Sequence, residues 1–244
     1  MNIPTVTGFD PASVRERLDA HGYVYLTGLP GGFDYPGGLS RLGPLVPQYG
    51  GDLVRDVRPD PAVPDTMVSS ANMGGLTPHT EWYEFPGLPP RYVALWCVHA
   101  AEGRGGETTL ADGYALLERY STAERERLAR DVRRWRSRPA LAREGVRQAA
   151  CHAILEMHAG VQVLRFSTLD MVADDDLAMA WVASGRKFFD TARIPVRIKR
   201  GDVLVWDNWR MLHARNAFTD SRRHLRRVLI GTAHQAAAGE ASQR

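Results

Sequence analysis

The sequence predicts an α+β protein, mainly β, built on an antiparallel sandwich or barrel, and three observations predict it. Strand-like segments rich in aromatic and β-branched residues lie towards both ends of the chain, with helix-like segments between them. Glycine and proline are plentiful, 23 and 15 of 244 residues, as short strands joined by turns require. Neither GxGxxG nor a Walker loop is present, so nothing marks a βαβ parallel sheet.

The elements follow in order. "DPASVRERLDAHG" reads as a short helix closed by Gly22, and "YVYLTGLP" as the strand after it. A second short helix falls within "PGGLSRLGPLV". From Pro44 to Pro78 prolines and glycines dominate, which predicts a loop-rich stretch bordering a pocket. "RYVALWCVHA" is an apolar, aromatic strand ending in the turn "AEGRGGET". Asp112 caps the helix "GYALLERY", and Ser121 with Glu124 forms a capping box for a helix running to about Arg136. Strands follow near "CHAILEMH" and "QVLRFS". "ADDDLAMAWVASGRKFF" has acidic residues in its first turn and apolar residues at helical spacing, so it is a third helix. The chain then returns to strands at "RIPVRIK", "VLVWDN" and "HLRRVLIGTA".

With 44% hydrophobic residues and no internal repeat or composition break, residues 1–235 are expected to form one domain and 236–244 a disordered tail. No run reaches transmembrane length, and "MNIPTVTGFDPASV" lacks the pattern of a signal peptide, so a soluble, cytoplasmic protein is expected. Cys97 and Cys151 have no metal-finger spacing and are expected to be reduced. The net charge is +3, from 31 basic and 28 acidic residues. Only Lys187 and Lys199 are lysines, and the densest basic stretch, "ERERLARDVRRWRSR", is interleaved with acids. That reads as a solvated helix face, so no nucleic-acid or membrane partner is expected.

The chemistry centres on "GLTPHTEWYEFPG". In an extended chain residues two apart face the same side, so His79 and Glu81 can address a common point while Thr80 faces away. His213, just past the strand in "GDVLVWDNWRMLHARNAF", can supply a third ligand from a neighbouring strand. Two histidines and one carboxylate are the facial triad of non-haem iron(II) oxygenases. H-x-E alone is a weak signal, but two features reinforce it. "GRGGET" ends a glycine turn in Thr108. In "DSRRHLRRVLI", Arg227 shares a strand face with Leu225 and Leu229, and an arginine buried there needs an anionic partner.

These four motifs in this order, H-x-E, GGET, a distal histidine and an arginine fourteen residues later, resemble the taurine dioxygenase-like iron(II)/2-oxoglutarate oxygenases. The resemblance runs from "HGYVYLTGLP" to "RRVLI" and implies a distorted double-stranded β-helix (a cupin-like jelly roll) with flanking helices. It implies Fe(II), 2-oxoglutarate and dioxygen as cofactor and co-substrates. His79, Glu81 and His213 would ligate iron, and Arg227 and Thr108 would hold the distal carboxylate of 2-oxoglutarate. Arg215 matches a further arginine position of the family. A glutamate at position 81 argues against the halogenases, which resemble this pattern without the carboxylate.

"HTEWYEFPGLPPRYVALWCVHAAEGRGGETTLAD" is most similar to the clavaminate synthase and amino-acid hydroxylase branch. That implies hydroxylation of an amino acid, free or presented by a carrier protein, in specialised (antibiotic-type) biosynthesis. The residues offered for substrate contact are Tyr83, Arg165 and Trp82, with Glu84 beside them. Desaturation, cyclisation or epoxidation by the same cofactor chemistry are the alternatives, since substrate placement decides between them. A non-catalytic jelly-roll binding protein is the alternative of a different class.

Overall fold

Residues 3–145 and 147–232 are described in a computed structural model, and their strands alternate faces as the sequence pattern requires. The strands are β1 Thr5–Thr7, β2 Tyr23–Thr27, β3 Leu45–Val46, β4 Arg55–Val57, β5 Leu76–His79, β6 Tyr92–His99, β7 Thr108–Asp112, β8 Val132–Arg136, β9 Ala149–Ala153, β10 Leu155–His158, β11 Val161–Leu164, β12 Ile194–Val196, β13 Val203–Asp207, β14 Met211–Arg215 and β15 His224–Ile230. The helices are α1 Pro11–His21, α2 Tyr35–Ser40, α3 Gly113–Leu117, α4 Thr122–Arg130 and α5 Asp176–Ala192. The expectation for the tail, 236–244, lies outside the described residues.

Two sheets make the frame of a distorted double-stranded β-helix. A seven-stranded sheet runs β1-β2-β13-β6-β15-β3, with β4 also on β15. A four-stranded sheet runs β12-β7-β14-β5. Along β6, β13 and β15 the side chains alternate between two cores. Val93, Leu95, Leu204, Trp206, Leu225 and Leu229 face one, shared with Leu110 and Val196 of the smaller sheet. Ala94, Trp96, Val203, Val205, Val228 and Ile230 face the other, covered by Val14 and Leu18 of α1 and Leu39 of α2. Arg227 has the parity of Leu225 and Leu229, so its side chain enters the space between the sheets.

The helix signals behave as read. Asp10 accepts from Ser13 N at 2.9 Å to start α1, and Gly22 ends it at φ 77°, its N–H on Leu18 O at 2.8 Å. Asp112 caps α3, and the Ser121–Glu124 capping box starts α4.

Three expectations need correction. The helix from Ser121 stops at Arg130 rather than near Arg136, because "VRRWR" has period two, burying Arg133 and Trp135 as β8 against β9. Residues 76–78, at the end of the stretch expected to be loop-rich, belong to β5, which pairs with β14. The sheets are also not wholly antiparallel. β1 pairs β2 in parallel because α1 forms the crossover between them.

Candidate metal centre and cavity

Register brings the three candidate ligands together. His79 at the end of β5 pairs directly with His213 of β14, and their ring centroids are 4.2 Å apart. Glu81 follows on a bend where Thr80 N–H donates to Phe166 O at 2.9 Å. One ligand atom from each of His79, Glu81 and His213 lies within 4.8 Å of the others, and all three residues are buried. His213 Nε2 is 3.6 Å from Glu81 Oε1.

Asn208, in the turn between β13 and β14, fixes Glu81. It is fully buried, its Oδ1 accepts from Glu81 N–H at 2.7 Å, and its amide donates to Glu81 O and Pro90 O at 3.2 and 3.0 Å. The next residue, Trp82, has φ 74°, an uncommon conformation for a bulky side chain, and it turns the chain sharply after the carboxylate.

The electrostatics suit a cation. Burial, with Arg138 and His213 nearby, pushes the His79 imidazole well below its ordinary value, and burial also lowers His213. Burial alone would raise Glu81, but Arg227 and His213 hold its carboxyl well below the ordinary carboxylate range. Two neutral imidazoles and one carboxylate are the protonation states that metal ligation needs. His79 Nδ1 lies 2.8 Å from Thr77 O, which assigns the proton to Nδ1 and leaves Nε2 as a ligand. His213 Nδ1 is buried without a hydrogen-bond partner. The residues present therefore fit a first-row divalent metal bound by two histidines and a carboxylate, with positions left open.

The triad lines a cavity of about 810 Å³, counted out to its open mouth. Arg227 lines it too, donating Nη1 to Glu81 Oε1 at 2.5 Å and Nε to Gln48 Oε1 at 2.8 Å. Gln48 in turn donates to Arg227 O at 3.0 Å, so it holds the arginine at both ends. Thr108, in register with Arg215 on the neighbouring strand, also lines the wall.

Arg215 lines the cavity as well, but its guanidinium is taken up by the 69–74 loop. It donates to Ser69 O, Ser70 O and Asn72 Oδ1 at 3.1, 3.0 and 3.2 Å, and to Gly74 O. Burial lowers it to about 9. Its task in this structure is to pin the loop that walls the cavity.

Of the three residues expected to contact substrate, the structure puts only Tyr83 on the cavity wall. Arg165 is 1% exposed and tied elsewhere, to Glu156 Oε2 at 2.7 Å and Gly87 O at 3.0 Å. Trp82 is turned away by its backbone, and its ring stacks on Phe85 at 4.2 Å and Tyr49 at 5.9 Å. Sequence reasoning missed Arg138, whose Nε donates to Asp170 Oδ2 at 3.0 Å and to the Tyr83 hydroxyl at 3.2 Å. Glu84 also lines the cavity, and burial pushes its carboxyl up to about 7. Cys97 and Cys151 are both free. Among the described residues no helix is long and apolar enough to cross a membrane.

Comparison with known proteins agrees with this arrangement. Residues 1–229 match the family described as "Taurine catabolism dioxygenase TauD, TfdA family", and the chain belongs to that dioxygenase family. A curated relative, the mitochondrial trimethyllysine dioxygenase of Gallus gallus, is 28% identical over 141 residues, 50% of this chain. That match covers 32% of the relative, so the chain corresponds to about a third of its length. Among solved structures, an asparagine oxygenase in complex with Fe(II), 2S,3S-3-hydroxyasparagine and succinate superposes with TM-score 0.73 at 24% identity, covering 91% of this chain and 78% of that one. The non-heme iron oxygenase OrfP, in complex with Fe and alpha-ketoglutaric acid, gives 0.69 at 19% identity, covering 94% and 82%. PvcB from Pseudomonas aeruginosa gives 0.63 at 24% identity, covering 91% and 80%. At these identities the likeness to the solved structures is one of fold.

Proposed function

We propose that this protein is an iron(II)/2-oxoglutarate-dependent oxygenase that hydroxylates a C–H bond of a small amino acid or amino-acid derivative. The observation that carries this reading is the buried His79, Glu81 and His213 set at a cavity whose wall also carries Arg227 and Thr108. Family membership supports it, as do the iron- and 2-oxoglutarate-type ligands named for the asparagine oxygenase and OrfP. The chemistry that bound iron(II), 2-oxoglutarate and dioxygen would supply is oxidative decarboxylation to succinate and carbon dioxide, coupled to oxidation of a neighbouring C–H bond.

The chain's own residues bind, orient and exclude water. His79, Glu81 and His213 would hold the cation, with Asn208 keeping Glu81 in place through its backbone. Arg227, held by Gln48, would take the distal carboxylate of 2-oxoglutarate, with Thr108 beside it. Glu81 and Arg227 satisfy each other in this structure, and a metal and a dicarboxylate would separate them, one drawing Glu81 and the other Arg227. Val57, Leu76, Leu95 and Leu141 line the remaining wall with apolar groups that keep water out.

The test is succinate release from 2-oxoglutarate with ferrous iron in air, across a panel of free amino acids, with His79→Ala as control. Stimulation by a particular amino acid, lost in the variant, is the expected result. No succinate from metal-replete protein would overturn the oxygenase reading in favour of a jelly-roll binding protein.

A further inference from the structure

Two buried ionisable groups on the cavity wall remain once the metal and co-substrate residues are assigned. Glu84 is 3% exposed; its Oε2 has no hydrogen-bond partner, and its Oε1 meets the Tyr49 hydroxyl only at 3.5 Å. Arg138 uses Nε on Asp170 and Tyr83, while its buried Nη2 has no partner. Both line the same cavity, yet among the described residues no ion pair joins them.

A buried guanidinium and a buried carboxyl group attract each other in a low-dielectric space unless something holds them apart. Arg138 is held. Asp170 Oδ2 accepts from it and also from the Tyr83 hydroxyl at 2.5 Å and Ser167 Oγ at 2.8 Å, which fixes the carboxylate that fixes the arginine. Glu84 sits in the turn after Glu81, closed by Phe85 N–H on Trp82 O at 3.3 Å. Each group thus keeps a buried hydrogen-bonding atom without a partner, one a carboxyl oxygen and one a guanidinium nitrogen. Leaving such atoms buried and unpaired costs stability, and it is offset when a ligand supplies the partners.

We propose that Glu84 and Arg138 form a slot for a free zwitterionic amino acid, with the substrate ammonium on Glu84 and its carboxylate on Arg138. The slot rests on the oxygenase reading and narrows it. Val68, Ala140 and Leu141, which line the same cavity, are apolar and offer the side chain of the substrate an uncharged surface. A carrier-tethered substrate has exchanged its carboxylate for a thioester and would leave the Arg138 donor unmet. An N-acylated substrate would likewise leave Glu84 unmatched. The slot therefore selects a free amino acid over either.

The experiment is a calorimetric titration of the full chain loaded with Fe(II) and 2-oxoglutarate in the absence of oxygen. The titrants are a panel of free L- and D-amino acids, then the N-acetyl and carboxamide derivatives of whichever bind. The expected result is that each derivative binds about thirtyfold or more weakly than its parent. In E84Q the gap between free and N-acetyl forms closes, and in R138Q the gap between acid and carboxamide closes. R138K, which keeps a cation beside Asp170, covers the case in which R138Q does not fold. The affinity for 2-oxoglutarate, measured separately, is unchanged in all three variants.

Derivatives that bind as tightly as the free acids would overturn the slot. So would a panel in which no free amino acid binds, or Arg138 variants that lose 2-oxoglutarate instead. A protein that takes up no 2-oxoglutarate at the loading step would overturn the oxygenase reading, and the slot with it.

Discussion

Replacing Arg227 with methionine separates the two states of the centre. In this structure Arg227 Nη1 lies 2.5 Å from Glu81 Oε1, with both side chains about nine-tenths buried at 9% and 10% exposure. Removing one partner of a buried ion pair strands the other charge, at a cost of about 3–5 kcal/mol. The nearest remaining compensation for Glu81 is the His213 imidazole at 3.6 Å, which burial keeps neutral. R227M should therefore lose about 3–5 kcal/mol in guanidinium denaturation at neutral pH with chelator present. Saturating Mn(II) should recover most of that loss, because the cation takes over the compensation of Glu81. In the parent the metal must displace Arg227 from Glu81, so metal should stabilise R227M more than it stabilises the parent. The affinity for 2-oxoglutarate should fall in the same variant. A metal-free R227M within about 1 kcal/mol of the parent would refute the pairing, since that loss is what exposed pairs give. An equal loss with and without Mn(II) would refute the link between Arg227 and the metal site.

Other expectations rest on different contacts. Asn208→Ala removes three hydrogen bonds to the backbone of Glu81 and Pro90 and should cost about 2–4 kcal/mol, with weaker Mn(II) binding in a fluorescence or calorimetric titration. Glu84 stays protonated in the folded protein up to about pH 7, whereas an unfolded chain releases that proton near 4.5. Folding thus holds a proton that unfolding gives up, and stability should fall as pH rises from 4.5 to 7, by about 3 kcal/mol in all. Denaturation of E84Q across that range should lack this slope. Gly185→Ala should destabilise by about 1–3 kcal/mol in thermal melts although alanine favours helices, because a Cβ there would stand 2.3 Å from the Phe166 ring. Phe166 bonds to Thr80 through both its N–H and its carbonyl, so the same variant should also weaken metal binding.

How much of this was legible in the sequence depended on the range of the interaction. Local signals survived: the Asp10 and Ser121 caps, the left-handed Gly22, and the period-two face that turns Arg227 inward with Leu225 and Leu229. The two histidines were legible as residue types, and register then paired them, which spacing alone does not state. Residues that act across the fold were not legible. Asn208 holds Glu81 from 127 positions away, and Gln48 holds Arg227 from 179. An asparagine in a turn and a glutamine in a loop carry no local mark of such work.

The arginines show the limit most clearly. Arg138 lines the cavity and Arg165 does not, yet neither is distinguishable from the chain's many other arginines by type or flanking residues. What divides them is whether each guanidinium is already satisfied. Arg165 meets Glu156 and a backbone carbonyl away from the cavity, so it serves the scaffold. Arg138 is anchored through Nε on Asp170 and Tyr83, lines the cavity, and keeps Nη2 as a buried donor without a partner among the described residues. The same criterion separates Arg215, consumed by loop carbonyls, from Arg227, whose partner is a carboxylate that a metal would claim. A buried arginine is thus a candidate for binding in proportion to how readily its present partners can be drawn away, a property of the tertiary contacts that residue spacing cannot encode.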